Sequence, residues 1–231
     1  MEQPVSDIAF HFPDRREIAA AASSGRGRPR AQVIFHLEGE GGREPEQRVH
    51  WVPARVARSF EHDHPEPPCP YREAREALET RENKLCLAAL TEMLGRRDYG
   101  AEEARRKLRH AGFRASAIDH ALERAQELRF LDEERFLVSY IEERLRRGWG
   151  RLKIEADLRQ RGSDPHMLPG YPDRFFSAED DLERACAALA RKAVPERNAF
   201  ERLVRHLMGK GFPYRIAAQA VRIRLDEEES A

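Results

Sequence analysis

Arginine and lysine are the residues of this 231-residue chain whose spacing could do chemistry, and they gather in three blocks. Between Arg144 and Arg161, seven basic residues (Arg144, Arg146, Arg147, Arg151, Lys153, Arg159 and Arg161) face only Glu155 and Asp157. Between Arg96 and Arg114 seven more oppose Asp98, Glu102 and Glu103, and between Arg197 and Arg224 a further seven oppose Glu201 alone. Clusters of this kind suit a polyanion or an acidic protein groove. The stretches Asp132–Glu134 and Glu179–Glu183 are acidic, so a formal net charge of zero conceals an alternation along the chain. Tyr99 and Trp149 stand at equivalent turns beside this charge, where filling the gap over a glycine turn is the plainer role and base stacking or partner contact the sharper one.

Covalent chemistry has no comparable signal. Phosphate-loop, dinucleotide, zinc-protease and serine-hydrolase motifs are all missing from the sequence. Carboxylates lie three or four residues from Lys and Arg, the pattern of solvated outer helix faces. His62, His64 and Cys69 share the proline-rich EHDHPEPPCP, but their spacing fits no standard metal site and the composition reads as a linker. Cys69, Cys86 and Cys186 are odd in number and form no CxxC pair, so small buried thiols in a reducing compartment are expected. The expectation is a non-enzymatic protein without cofactor or metal.

The basic blocks are carried by a repeat. The leucines Leu108, Leu158 and Leu207 and the glycines Gly112, Gly162 and Gly211 each step by 50 and then 49 residues. Self-similarity at this period marks stacked supersecondary units. In the first unit, Leu78, Leu85, Leu87, Leu90 and Leu94 return at helical spacing from Tyr71 to Arg97, as one long helix or two in series. A short helix follows over Ala101–His110, closed by a left-handed Gly112 with Phe113 behind it. A third helix opens at Ser116, with Asp119 at capping-box distance. The second unit starts with Asp132 as N-cap and carries Leu137, Ile141 and Leu145, then Ile154 and Leu158 after the Gly148-Trp149-Gly150 turn. Its third helix is broken by Pro165, Pro169 and Pro172, since an interior proline costs about 3 kcal/mol. Ser177 caps the third unit, and of nine helices expected eight are well supported.

The first eighty residues differ in character. Met1 to Arg30 shows little periodicity, and Ser23–Arg30 has the composition of a flexible linker. Between Ala31 and Val52, alternation around Val33, Phe35 and Leu37, the glycine-rich GEGG and a second apolar run predict a hairpin. The alanines Ala19–Ala22 are too few to form a signal-peptide core, and no apolar run approaches the roughly 20 residues of a membrane span. A cytoplasmic monomer with no membrane association is expected.

The string ALTEMLGRRDYGAEEARRKLRHAGFRASAIDHALERAQELRFLDEERF, followed by RLRRGWGRLKIEADLRQRG and closed by RHLMGKGFPYRIAAQAV, resembles the RecX family, regulators of the bacterial RecA recombinase. The resemblance runs from about Leu85 to Val221, and its specificity lies in the order from Gly112-Phe113 through Leu131–Phe136 to Arg147–Gly150. It implies an all-α protein of tandem three-helix repeats in an elongated, curved array, with a small N-terminal extension. It also implies a protein that lodges on the RecA–DNA nucleoprotein filament and modulates, most often inhibits, recombinase and ATPase activity, and so DNA repair and the SOS response. No catalytic residue is carried over. By position and charge, Arg105, Arg106, Arg146, Arg147, Trp149, Arg151 and Lys153 are expected to face the filament or its DNA.

The expected division is an extension over 1–70, partly disordered with a hairpin at 31–52, repeats over 71–131, 132–176 and 177–226, and an acidic tail over 227–231. The rival reading is a regulator that binds DNA directly through helix-turn-helix-like units.

Overall fold

Alternation and helical periodicity together build two compact units, residues 1–131 and 132–231. A computed structural model of the chain describes residues 3–25, 27–39, 44–190 and 192–229. Most of the GEGG link and the end of the acidic tail lie outside the described residues. No described helix is long and apolar enough to cross a membrane.

In the first unit, β1 (Pro4–His11), α1 (Arg15–Ser24), β2 (Arg30–Leu37), β3 (Glu46–Pro53), α2 (Ala54–Glu61) and the short β4 (Cys69–Pro70) precede the first repeat. The strands form one antiparallel sheet in the order β3-β2-β1-β4. The predicted hairpin is β2–β3, registered so that Val33 opposes His50 and Ala31 opposes Val52. Because side chains alternate across a strand, Ala31, Val33, Phe35 and Leu37 are buried while Val49 and Trp51 remain exposed on the other face. Strand β1 and helix α1 occupy a stretch with little sequence periodicity. Asp14 supplies the reason for the helix, since it and Glu17 form a reciprocal capping box.

The first repeat comprises α3 (Tyr71–Leu94), α4 (Ala101–His110) and α5 (Ala115–Glu127). Residues 71–94 form a single helix, the first of the two alternatives. Helix α5 starts one residue before the expected Ser116, with Arg114 as N-cap and no side-chain cap; Asp119 is drawn to Arg105 instead. The carboxylate of Glu82, on α3, accepts hydrogen bonds from the backbone N–H of Arg114 at 2.9 Å and from its Nε at 2.5 Å. Sheet and repeat share one hydrophobic core, in which Phe35, Phe60, Leu78, Leu90, Leu108 and Ile118 are all buried.

The second unit contains α6 (Glu133–Arg146), α7 (Arg151–Arg161), a 3-10 turn (Pro165–Met167), α8 (Ala178–Ala190), α9 (Ala199–Gly209) and α10 (Tyr214–Glu229). Asp132 caps α6 through the N–H of Arg135 at 2.9 Å, and the Ser177 hydroxyl accepts from the N–H of Asp180 at 3.0 Å. The prolines exclude the third helix of the middle repeat, and Leu168 and Phe176 fill its place against Phe136, Ile141, Ile154 and Leu158. Helices α8, α9 and α10 enclose a second core around Leu189, Leu203, Leu207 and Val221.

The glycine turns explain the period. Gly112, Gly162 and Gly211 have φ of 95°, 82° and 95°, in the left-handed region open to glycine. In each, the following residue donates its N–H to the carbonyl of the repeat leucine: Phe113 to Leu108, Ser163 to Leu158 and Phe212 to Leu207. These 6→1 bonds close the short helix in the same way three times.

Candidate functional site

The turn between α6 and α7 brings together five of the seven residues expected to carry function: Arg146, Arg147, Trp149, Arg151 and Lys153. Helix α6 ends as Gly148 enters the left-handed region at φ 72° and Trp149 donates its N–H to the Arg144 carbonyl at 3.0 Å. The Trp149 ring, partly buried against the α6–α7 core, is flanked by the Arg144 guanidinium at 4.9 Å and the Lys153 ammonium at 4.2 Å. It therefore packs, and it holds two cations at the turn by cation–π attraction. Arg144 also stacks on Tyr140 at 4.5 Å. Arg144 counts in the basic block but not in the expected filament-facing set, because its place over Trp149 and Tyr140 is set by the fold.

Arg146 and Arg147 are the outward members of the set, with side chains 70% and 58% exposed. Both reach the one carboxylate of Glu143, at 3.1 Å and 2.5 Å. Hydrogen bonds from Arg146 and then Arg147 hold that carboxyl below its ordinary value. Two cations on one anion leave a net positive turn. Arg151 is engaged differently. Its Nε lies 2.7 Å from Glu155, which also accepts from the Tyr171 hydroxyl at 2.8 Å. Burial opposes ionisation of Glu155 but is outweighed by these bonds from Arg151 and Tyr171, so its carboxyl also sits below the ordinary range.

In the first repeat, Arg105 and Arg106 occupy α4, and their surroundings separate them. Arg105 bonds Glu102 at 3.1 Å and Asp119 of α5, and the Asp119 bond is the main cause of its raised pKa. This arginine joins two helices. Arg106, one residue on, is exposed and lines a cleft of the first unit.

The two arginine turns also differ at one position. Arg97 lies 3.7 Å over the Tyr99 ring and bonds the buried Glu103 at 2.5 Å. Fifty residues on, Lys153 stands where Glu103 stood, so Arg147 has no acid there and turns to Glu143. The second turn is thereby the more positive. Glu103 and Glu82 are buried, as is Asp181, which pairs with Arg184 at 2.7 Å. These three carboxylates correct the expectation that acids line outer helix faces.

The described residues contain no group of three or more His, Cys, Asp or Glu able to hold a metal ion. Cys69 and Cys86 are buried, and burial pushes the Cys86 thiol up to about 12. His62 and His64 meet backbone carbonyls, of Arg58 at 2.6 Å and Pro65 at 2.9 Å.

Short helices closed by a recurring glycine turn, with arginines at the preceding turn, define a tandem three-helix-repeat protein joined to a small sheet domain. The sequence resembles one family over part of its length. A family model described as "RecX, second three-helix domain" matches residues 132–166. Regulatory protein RecX of Legionella pneumophila is 37% identical over 76 residues, 33% of this chain and 51% of that protein. Its counterpart in Pseudomonas savastanoi pv. phaseolicola is 42% identical over 71 residues, 31% of this chain and 46% of that protein. The chain is similar to these RecX proteins over that stretch, and it spans about half the length of the curated relatives it matches. A crystal structure of RecX from Lactobacillus salivarius superposes with a TM-score of 0.54 at 17% identity, covering 62% of this chain and 96% of that one. A second RecX crystal structure gives 0.51 at 14% identity, covering 94% and 97%. At these identities the likeness is one of fold.

Proposed function

We propose that the chain is a regulatory protein that binds the RecA–DNA filament and inhibits its recombinase and ATPase activities, acting by occupancy without covalent chemistry. The reading treats residues 71–131, 132–176 and 177–226 as three modules, with α6–α7 of the second as the filament-facing surface. The observation that carries it is a coincidence within residues 132–166. The segment that matches the RecX model is also the one whose turn exposes Arg146 and Arg147 on a single shared carboxylate. A positive turn of this kind suits an acidic groove or phosphates. Arg151 and Lys153, held by Glu155 and Trp149, serve to shape the turn beneath them.

Linkage supplies the mechanism: a protein that prefers one filament state shifts the population toward it. The test is DNA-dependent ATP hydrolysis by purified recombinase from the same source, titrated with the chain. The double variant Arg146→Glu, Arg147→Glu retains Arg151–Glu155 and is expected to need about tenfold more protein for half-inhibition, or about 1.4 kcal/mol. Inhibition equal to the parent would remove these arginines from the surface. No inhibition by the parent would remove the reading itself.

A further inference from the structure

The first unit holds a cleft of about 800 Å³ that the expected filament-facing set, Arg106 excepted, does not include. Its walls come from the approach to β2, the start of α2, the last turns of α3 and the face of α4. Among the described residues six cations line it, Arg28, Arg55, Arg58, Arg96, Arg106 and Lys107, against the carboxylates Glu92 and Glu103. Six minus two leaves four positive charges. Both acids are already engaged, Glu92 by Arg96 at 2.5 Å and Glu103 by Arg97 at 2.5 Å.

The cations are held in place by packing. Arg55 donates to the Leu85 carbonyl at 3.1 Å and stacks on Phe113 at 4.7 Å, and Arg58 lies 5.6 Å over Phe12. Arg28 is brought in from a distant part of the sequence: its N–H donates to the His110 carbonyl at 2.8 Å, at the end of α4. Gly27 permits that approach, since a Cβ there would lie 3.0 Å from the same carbonyl oxygen. Burial lowers the Arg55 pKa, with the charge of Arg28 adding to it against Cys86 and Glu92. A seated anion would relieve both effects.

We propose that this cleft binds the phosphate backbone of a nucleic acid, so that the sheet domain and the first repeat together form a nucleic-acid site. The chemistry favours phosphate over an acidic peptide. An extended peptide is gripped by backbone pairing with an open strand edge. The walls here are mostly helix faces, whose backbone groups beyond the first turn of α2 are spent within the helices, and the prolines Pro29 and Pro53, which have no N–H. Recognition falls to side chains, and five of the six cations are arginines, whose planar fork matches phosphate oxygens.

The test uses the full chain without recombinase, so its outcome is separate from that of the hydrolysis assay. Binding of a fluorescein-labelled oligothymidylate is followed by anisotropy across a salt series. The double variant Arg28→Glu, Arg58→Glu is expected to weaken binding at least about tenfold and to reduce the slope of log affinity against log salt by about 1.4, roughly 0.7 for each phosphate of a single strand that is no longer neutralised. The variant Arg72→Glu, Arg75→Glu makes the same charge change on the exposed start of α3 and should keep the parental slope. Should circular dichroism show that charge reversal at Arg28 and Arg58 unfolds the chain, Arg28→Gln, Arg58→Gln is expected to move affinity and slope in the same direction. Parental affinity and slope in the folded cleft variant would overturn the proposal, as would absence of binding by the parent. Displacement of the oligonucleotide by polyglutamate at equal charge would overturn it in favour of an acidic protein ligand.

Discussion

At the scale of single residues, the decisive groups are the carboxylates that left the surface. Glu82 is fully buried, and it ties α3 to the N-cap of α5 through both the backbone and the guanidinium of Arg114. Removing one partner of a buried pair strands the other, which typically costs about 3 to 5 kcal/mol. Glu82→Ala is therefore expected to destabilise the chain by about 3 kcal/mol in urea unfolding, taking the lower end because Arg114 retains some exposure to water. A change below about 1 kcal/mol would mean that the pair contributes little. The exchange of Glu103 for Lys153 between equivalent turns works in the opposite sense. It takes an acid away from Arg147 and so decides which turn is positive.

Among the elements, the middle repeat depends on one close approach. Gly150, at the start of α7, donates its N–H to the Lys210 carbonyl at 2.8 Å, and Leu152 donates to the Gly211 carbonyl at 3.0 Å. A Cβ on Gly150 would lie 2.4 Å from the carbonyl carbon of Gly211 and 2.5 Å from the nitrogen of Phe212. Those atoms are backbone and cannot swing aside. Gly150→Ala is expected to separate α7 from the α9–α10 turn and to cost about 3 kcal/mol, at the upper end of overpacking penalties. Gly148→Ala, where a Cβ would meet nothing within 4 Å, should cost only the strain of its left-handed backbone, about 1 kcal/mol. Comparable melting of the two variants would show that the approach at Gly150 is not tight.

Across the whole molecule, the sheet and the first repeat form one folding unit. Phe35 lies 5.8 Å from the Tyr71 ring, Arg81 reaches the Ser59 hydroxyl at 2.9 Å, and the buried side chains of α2, β2, α3 and α5 belong to one core. A chain beginning at Tyr71 would lose Val33, Phe35, Val56 and Phe60 from that core. Deleting residues 1–70 is expected to lower the melting temperature and to increase binding of a hydrophobic dye. Unchanged melting of the helical remainder would show that the repeat is self-sufficient.

What the sequence by itself determined is whatever acts over a few residues. The repeat period, the Ala101–His110 helix, the Asp132 and Ser177 caps, the glycine turns and the proline-broken third helix depend on local backbone preference and hydrogen bonds within one or two turns. The β2–β3 hairpin was legible for the same reason, because alternation survives in strands with one buried face. Strand β1 and the two-residue β4 carry too little pattern of their own and exist by pairing with a neighbour. The arginines divided along the same line. Charge counting marked the α6–α7 turn as a candidate, but whether an arginine faces outward, as Arg146 does, or bridges two helices, as Arg105 does, depends on the carboxylate that tertiary packing brings to it. The cleft is the clearest case. Arg28, Arg58 and Arg106 are far apart in sequence, and only closure of the sheet domain on the first repeat makes them neighbours.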